Sequence, residues 1–139
     1  ELASEHLLAQ PAALVTLDLD AAAPEFLNWR ADFTCTRDGT FDGLLGWFDC
    51  VLFGNIRMSN SPLAADRLDR PQAFLPLEEP IRVRAGQRLE ATVMVRPHDQ
   101  LIAWTINLPD TGQTFEHSTF DSLMLDSALR KTLANGPGE

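Results

Sequence analysis

The Asp38-Gly39 dipeptide stands between two stretches that both read as strands. From Phe26 to Thr36 the apolar residues Leu27, Trp29, Ala31, Phe33 and Cys35 recur at every second position, the period of a strand with one buried face. A two-residue type I′ turn needs positive φ at its centre, and Asp-Gly supplies it at little steric cost. Folding about Asp38-Gly39 predicts a hairpin with Leu44 opposite Phe33, Phe48 opposite Trp29, Cys35 opposite Asp42 and Cys50 opposite Leu27. Trp29, Phe33, Leu44 and Phe48 would then form one cross-strand cluster. The same register sets the two cysteines roughly 26 Å apart along the ladder, too far for a disulfide. Gly43 and Gly46 interrupt the second strand, which predicts a bulge or the sharp bend of a barrel corner.

The remaining chain continues in short pieces. Residues 1–10 read as a short helix stopped by Pro11, and Leu14 to Leu19 (L-V-T-L-D-L) as a strand. Met58 to Pro71 is the longest polar stretch and reads as a loop, followed by an extended Gln72 to Leu77 that closes at Glu78-Glu79-Pro80. Ile81 to Val95 predicts a second hairpin turning at Ala85-Gly86, with Leu89, Ala91, Val93 and Val95 on one face. Leu101 to Leu108 alternates Ile102, Trp104, Ile106 and Leu108, turns at Pro109-Asp110-Thr111-Gly112, and returns over Gln113 to Phe120. Asp121 is placed to cap a final helix carrying Leu123, Leu125, Leu129 and Leu133 and stopping at Asn135-Gly136-Pro137. Seven or eight short antiparallel strands with short terminal helices make a mostly β fold, an antiparallel barrel or a barrel-like sandwich.

At 139 residues the chain reads as a single domain, large enough to bury a core. Its net charge of −9 disfavours nucleic acid, whose phosphates need clustered cations, and an anionic membrane surface. A basic peptide or protein is electrostatically compatible. No apolar run approaches the roughly 20 residues of a membrane span. The absence of an initial Met and of a secretory signal suggests a piece of a longer cytoplasmic protein, and ten Arg against one Lys suggest a GC-rich bacterial genome.

Catalytic motifs are scarce. Cys35 and Cys50 lie in strand patterns without a neighbouring His, and read as buried structural thiols. His6, His98 and His117 lack metal-ligand spacing, and His117 alternates with Phe115 and Thr119 as a strand residue does. Among the many carboxylates only Asp49 stands out, because it follows Trp47-Phe48 in an apolar strand. Gly43-Leu44-Leu45-Gly46 is no phosphate cradle, and the βαβ unit of a dinucleotide or methyl-donor site is missing, so no cofactor is expected on this chain.

The order of these pieces resembles the C-terminal β-barrel of the protein arginine methyltransferases and their bacterial relatives. The resemblance runs from Leu7-Leu8-Ala9-Gln10-Pro11 and Thr16-Leu17-Asp18-Leu19 through the R-D-G stretch to Trp47-Phe48-Asp49. It continues in Met58-Ser59-Asn60-Ser61-Pro62, which is similar to the family's L-S-T-S-P, and in Gln72 to Val83, Ala85-Gly86 and Val95-Arg96-Pro97. Trp104 to Leu108 and His117-Ser118-Thr119 fit the last strands. The resemblance implies a substrate-binding domain that covers the cleft of an absent Rossmann-type half, which would bind S-adenosylmethionine. It points to Asn60, Asp69, Arg70 and Asp49 as substrate-side residues and to a protein or peptide substrate. The family's dimerisation arm is not visible, but the family's barrel begins before Leu7, and a missing early strand would leave an open edge through which this chain forms a homodimer. One departure stands out: where the family carries Thr-His-Trp, this chain carries Leu68, Asp69 and Arg70. Asp cannot do an imidazole's proton chemistry and Arg cannot pack as indole does, which puts a protein arginine substrate in question.

Two rival readings make different demands. A stand-alone carbohydrate-binding sandwich needs Trp29, Trp47 or Trp104 on a solvent face, against the alternation of Trp29 and Trp104. A hydrolase needs two acids at a fixed separation.

Overall fold

The structure, a computed structural model, describes residues 3–120. Eight strands follow one another: β1 (Leu27–Thr34), β2 (Gly39–Gly46), β3 (Asp49–Phe53), β4 (Ile56–Ser59), β5 (Ala73–Val83), β6 (Arg88–Arg96), β7 (Leu101–Leu108) and β8 (Gln113–Ser118). Every pairing is antiparallel. One sheet has the order β1-β6-β7-β8, while β2-β5 and β3-β4 form two-stranded ribbons. The result is a mostly β, sandwich-like domain without full barrel closure.

The Asp38-Gly39 hairpin does not form. β1 pairs with β6, setting Trp29 opposite Val93, Ala31 opposite Ala91 and Phe33 opposite Leu89. β2 pairs instead with β5, with Gly39 opposite Val83 and Phe41 opposite Ile81. Gly39 is a strand residue and is not among the glycines with positive φ, as a type I′ turn would require. The link from β1 to β2 runs beside the link from β5 to β6. The Cys35 N–H donates to Gln87 O at 2.8 Å, the Gly86 N–H to Cys35 O at 2.7 Å, and the Ala85 N–H to the Asp38 carboxylate at 2.8 Å. The turn at Ala85-Gly86 is present, with Gly86 at φ +84, but its flanking strands also part into different sheets. Alternation defines a buried face and leaves the partner open; both choices bury the same residues of β1.

Three other expectations change. Leu14–Leu19 forms no strand, and Leu17 and Leu19 stay exposed. The N-terminal helix shrinks to a 3-10 turn at Ser4–His6, while the Arg37 guanidinium donates to the carbonyls of Leu7 and Glu5, and Leu8 reaches the core. β5 runs on through Glu78-Glu79-Pro80, and Pro80 sits where the β2-β5 register is interrupted and no ladder bond is lost. The predicted final helix lies outside the described residues. The β7-β8 hairpin forms at Pro109–Gly112 as the sequence indicates, with Gly112 at φ +71.

The glycine reading of β2 holds. The ladder is irregular between Phe41 and Gly43, and a Cβ on Gly43 would lie 2.7 Å from Pro76 Cα and closer still to Leu75 O. Here two backbones touch, and only glycine leaves room.

The core gathers Cys35, Phe41, Leu77, Val83, Leu89, Ala91, Ile106 and Leu108, with Leu8, Phe33, Leu44, Ile81 and Phe115 packed around it. Phe33 and Leu44 of the predicted cluster are among these; Trp29 is half-buried and Phe48 is exposed. The outer face of the large sheet is polar. Arg30 pairs with Glu90 at 2.9 Å, Asn107 donates to Glu90 at 3.3 Å, and Thr114 donates to Asn107 at 3.1 Å.

Candidate functional site at the root of the β3-β4 ribbon

Asp49 and Asn60 lie at one end of the β3-β4 ribbon, where hydrogen bonds from Leu68 and to Pro71 also anchor the limb that carries Asp69 and Arg70. A two-residue turn at Gly54-Asn55, with Gly54 at φ +58, folds β3 onto β4 and brings Asp49 opposite Ser59. The Gly-Asn dipeptide between Phe53 and Ile56 is a hairpin signal that the sequence reading passed over. Ser59 donates its hydroxyl to Asp49 Oδ1 and accepts the Ser61 N–H at 3.0 Å. Asp49 is exposed, so this contact orients one carboxylate oxygen and leaves the group facing water.

Asn60 is the buried centre, at 3% exposure. Its Oδ1 accepts the Phe48 N–H at 2.9 Å, its Nδ2 donates to Pro71 O at 3.1 Å, and its backbone O accepts from Gln72 Nε2 at 2.8 Å. The side chain thus ties the β2-β3 link to the far end of the loop that it begins. Each of these polar groups would be costly to leave unpaired in so dry a place. Asn60 therefore closes residues 60–72 into a compact loop, and is not itself accessible to a ligand. Gln72, where the sequence offered only a resemblance, is part of the same closure.

Asp69 and Arg70 lie on the returning limb, both exposed. The limb is pinned on either side: the Leu68 N–H donates to Ser59 O at 2.7 Å, and Pro71 O accepts from Asn60. Ser61 and Pro62 are buried beneath the loop. A backbone anchored to Ser59 and Asn60 thus presents a carboxylate and a guanidinium to solvent. Such a surface can bind and orient a polar ligand. Among the described residues no three His, Cys, Asp or Glu side chains come together to hold a metal.

The tryptophans do not make a sugar platform. Trp104 is 3% exposed, stacks on His117 with centroids 5.3 Å apart, and donates its indole N–H to Pro76 O at 2.9 Å. Trp29 and Trp47 are half-buried. His117 sits on the inner face opposite Trp104, the strand position that its alternation indicated. Cys35 is buried, which pushes its thiol pKa up, whereas Cys50 is only half-buried opposite Met58. Among the described residues no helix is long and apolar enough to cross a membrane.

The PRMT5 oligomerisation domain family matches the chain over residues 24–121, a span that contains all eight strands. The arginine N(omega)-methyltransferase of Streptomyces achromogenes subsp. streptozoticus is 33% identical to it over 89 residues, which is 60% of this chain and 23% of that protein. The chain therefore matches less than a quarter of that relative's length.

Proposed function

The chain belongs to the PRMT5 oligomerisation domain family, and from that premise we propose that it is the non-catalytic, substrate-side domain of an S-adenosylmethionine-dependent arginine methyltransferase. In this reading residues 1–139 form one domain that packs on a Rossmann-type half in a cytoplasmic protein. The methyl donor binds to that half. This domain covers the cleft, helps to hold the acceptor, and takes part in self-association. The observation that carries the reading is the family match over residues 24–121, which spans β1 to β8, together with the similarity to an arginine N(omega)-methyltransferase.

The loop 60–72 is the acceptor contact in this proposal. Its backbone is held from within by Asn60, so the exposed Asp69 and Arg70 are offered at little ordering cost. A carboxylate at 69 suits a guanidinium or another cation on the acceptor, and Arg70 suits a carboxylate. Neither residue replaces an imidazole or an indole, so their task is binding and not proton transfer.

The test uses the full-length protein, with arginine and an arginine-containing peptide as acceptors and radiolabelled S-adenosylmethionine as donor. Transfer to a guanidino nitrogen is expected. Asp69→Ala and Arg70→Ala should raise KM for the acceptor by about tenfold while KM for the donor stays unchanged. Absence of transfer to either acceptor would overturn the activity. Transfer with unchanged acceptor KM in both variants would overturn the role of the loop alone.

A further inference from the structure

Residues 5–9 lie on the sandwich as a separate strap. Ala9 makes an isolated antiparallel bridge to Cys35, and the Thr36 N–H and hydroxyl both donate to Leu8 O, at 2.7 and 3.2 Å. The Arg37 guanidinium closes the strap from outside, donating to Leu7 O at 3.1 Å and to Glu5 O. Leu8 packs against the core cluster that contains Cys35. After the strap, residues 10–26 hold no helix or strand, so no ladder couples it to β1.

The receiving surface is held from its other side. The Cys35 N–H donates to Gln87 O, the Gly86 N–H to Cys35 O and the Ala85 N–H to Asp38, so the β5-β6 link fixes residues 35–38 without help from the strap. Gly39 completes the surface. It has no positive φ, so its backbone does not call for glycine. A Cβ there would instead lie 2.6 Å from Leu8 Cδ2, and its three nearest atoms all belong to Leu8. The absent side chain is a socket for Leu8. Main-chain bonds with one side chain in a pocket are how a folded sheet holds an extended peptide. Here the peptide is part of the same chain.

The two sides of this contact differ in strength. Glu5, Thr36 and Arg37 are exposed, so water competes for the polar contacts of the strap, and within it only Leu8 packs on the core cluster. β7, by contrast, is paired on both edges and keeps Ile106 at 1% exposure. Regions with few apolar contacts and exposed backbone bonds open locally before the fold does.

We propose that residues 5–9 form a latch that opens by local unfolding while the eight strands stay folded, with Leu8 seated over Gly39 and Arg37 as the clasp. Opening frees the Thr36 N–H and uncovers Cys35, which is 2% exposed when the latch is closed. The latch thus sets when this thiol meets solvent. The inference goes beyond the proposed activity and does not depend on it.

Hydrogen exchange at residue resolution, with alkylation of Cys35 by iodoacetamide read by peptide mapping, tests this on the full-length protein. Relative to unfolded-chain rates, the Thr36 amide should exchange at least about tenfold faster than the amides of β7. Thr36 exchange and Cys35 alkylation should both be insensitive to urea well below the unfolding transition, because a small opening exposes little surface, while β7 exchange accelerates steeply. Arg37→Ala removes the clasp, and Gly39→Val fills the socket with a residue that favours strands; each should raise both rates by at least about tenfold. Thr36, Cys35 and β7 opening together, with one urea dependence, would overturn the latch. Local opening that neither variant accelerates would overturn the roles of Arg37 and Gly39 in holding it.

Discussion

Ile106 is 1% exposed in the middle of β7, with Ala91 on one side and Phe115 on the other. Its truncation leaves a cavity bounded by two strands that cannot collapse, so Ile106→Ala should cost about 2–5 kcal/mol in urea unfolding. Phe48 keeps 38% of its surface in water, and Phe48→Ala should cost less, about 1–2 kcal/mol. The order of the two would invert if Phe48 stood at the centre of a β1-β2 hairpin. Asp110 offers a test by pH. The Arg88 backbone N–H and then its guanidinium donate to this carboxylate, holding its pKa below the ordinary 3.8. A carboxylate depressed in the folded state adds stability that is present above the unfolded pKa and is lost as pH falls through the folded one. Acid titration of the unfolding midpoint should therefore show a fall below pH 3.8 that Asp110→Asn lacks.

At the scale of elements, two places decide how segments meet. Gly43 allows β2 and β5 to touch backbone to backbone, and Gly43→Ala should cost about 1–3 kcal/mol because the nearest neighbours are main-chain atoms that must move. Asn60 does the equivalent for the loop. Asn60→Ala removes the acceptor of the Phe48 N–H and the donor to Pro71 O, two buried groups that would each cost about 1–3 kcal/mol unpaired. Hydrogen exchange should show the Phe48 amide losing its protection in that variant while the amides of β7 keep theirs. Equal loosening of β7 would mean that the loop is coupled to the whole core and is not a unit of its own.

For the whole molecule, the sandwich offers a packed core, a polar outer sheet and the closed loop 60–72, and among the described residues holds no strand-loop-helix unit of the kind that cradles a nucleotide. Calorimetric titration should therefore find no micromolar binding of S-adenosylmethionine to residues 1–139 alone, and clear binding to the full-length protein. Micromolar binding by the chain alone would refute its assignment as the substrate-side domain.

What could be read from residues alone was the part set by local physics. Alternation every second residue marked β1, β6, β7 and β8 and their buried faces, because side chains on a pleated strand point in turn to opposite sides. Pro109–Gly112 determined the β7-β8 hairpin, and Gly43 marked the irregularity of the second strand. Partner choice was not legible. Asp38-Gly39 and Ala85-Gly86 both look like hairpin turns, yet the connections lie side by side and bond to each other, so that β1 goes to β6 and β2 to β5. Either pairing buries the same face of β1; the difference lies in how two sheets close over one core, a long-range packing energy that no local pattern carries. For the same reason Leu14–Leu19 has the rhythm of a strand and no strand pairing, and Asn60 proved to be a buried tie where the sequence suggested a contact.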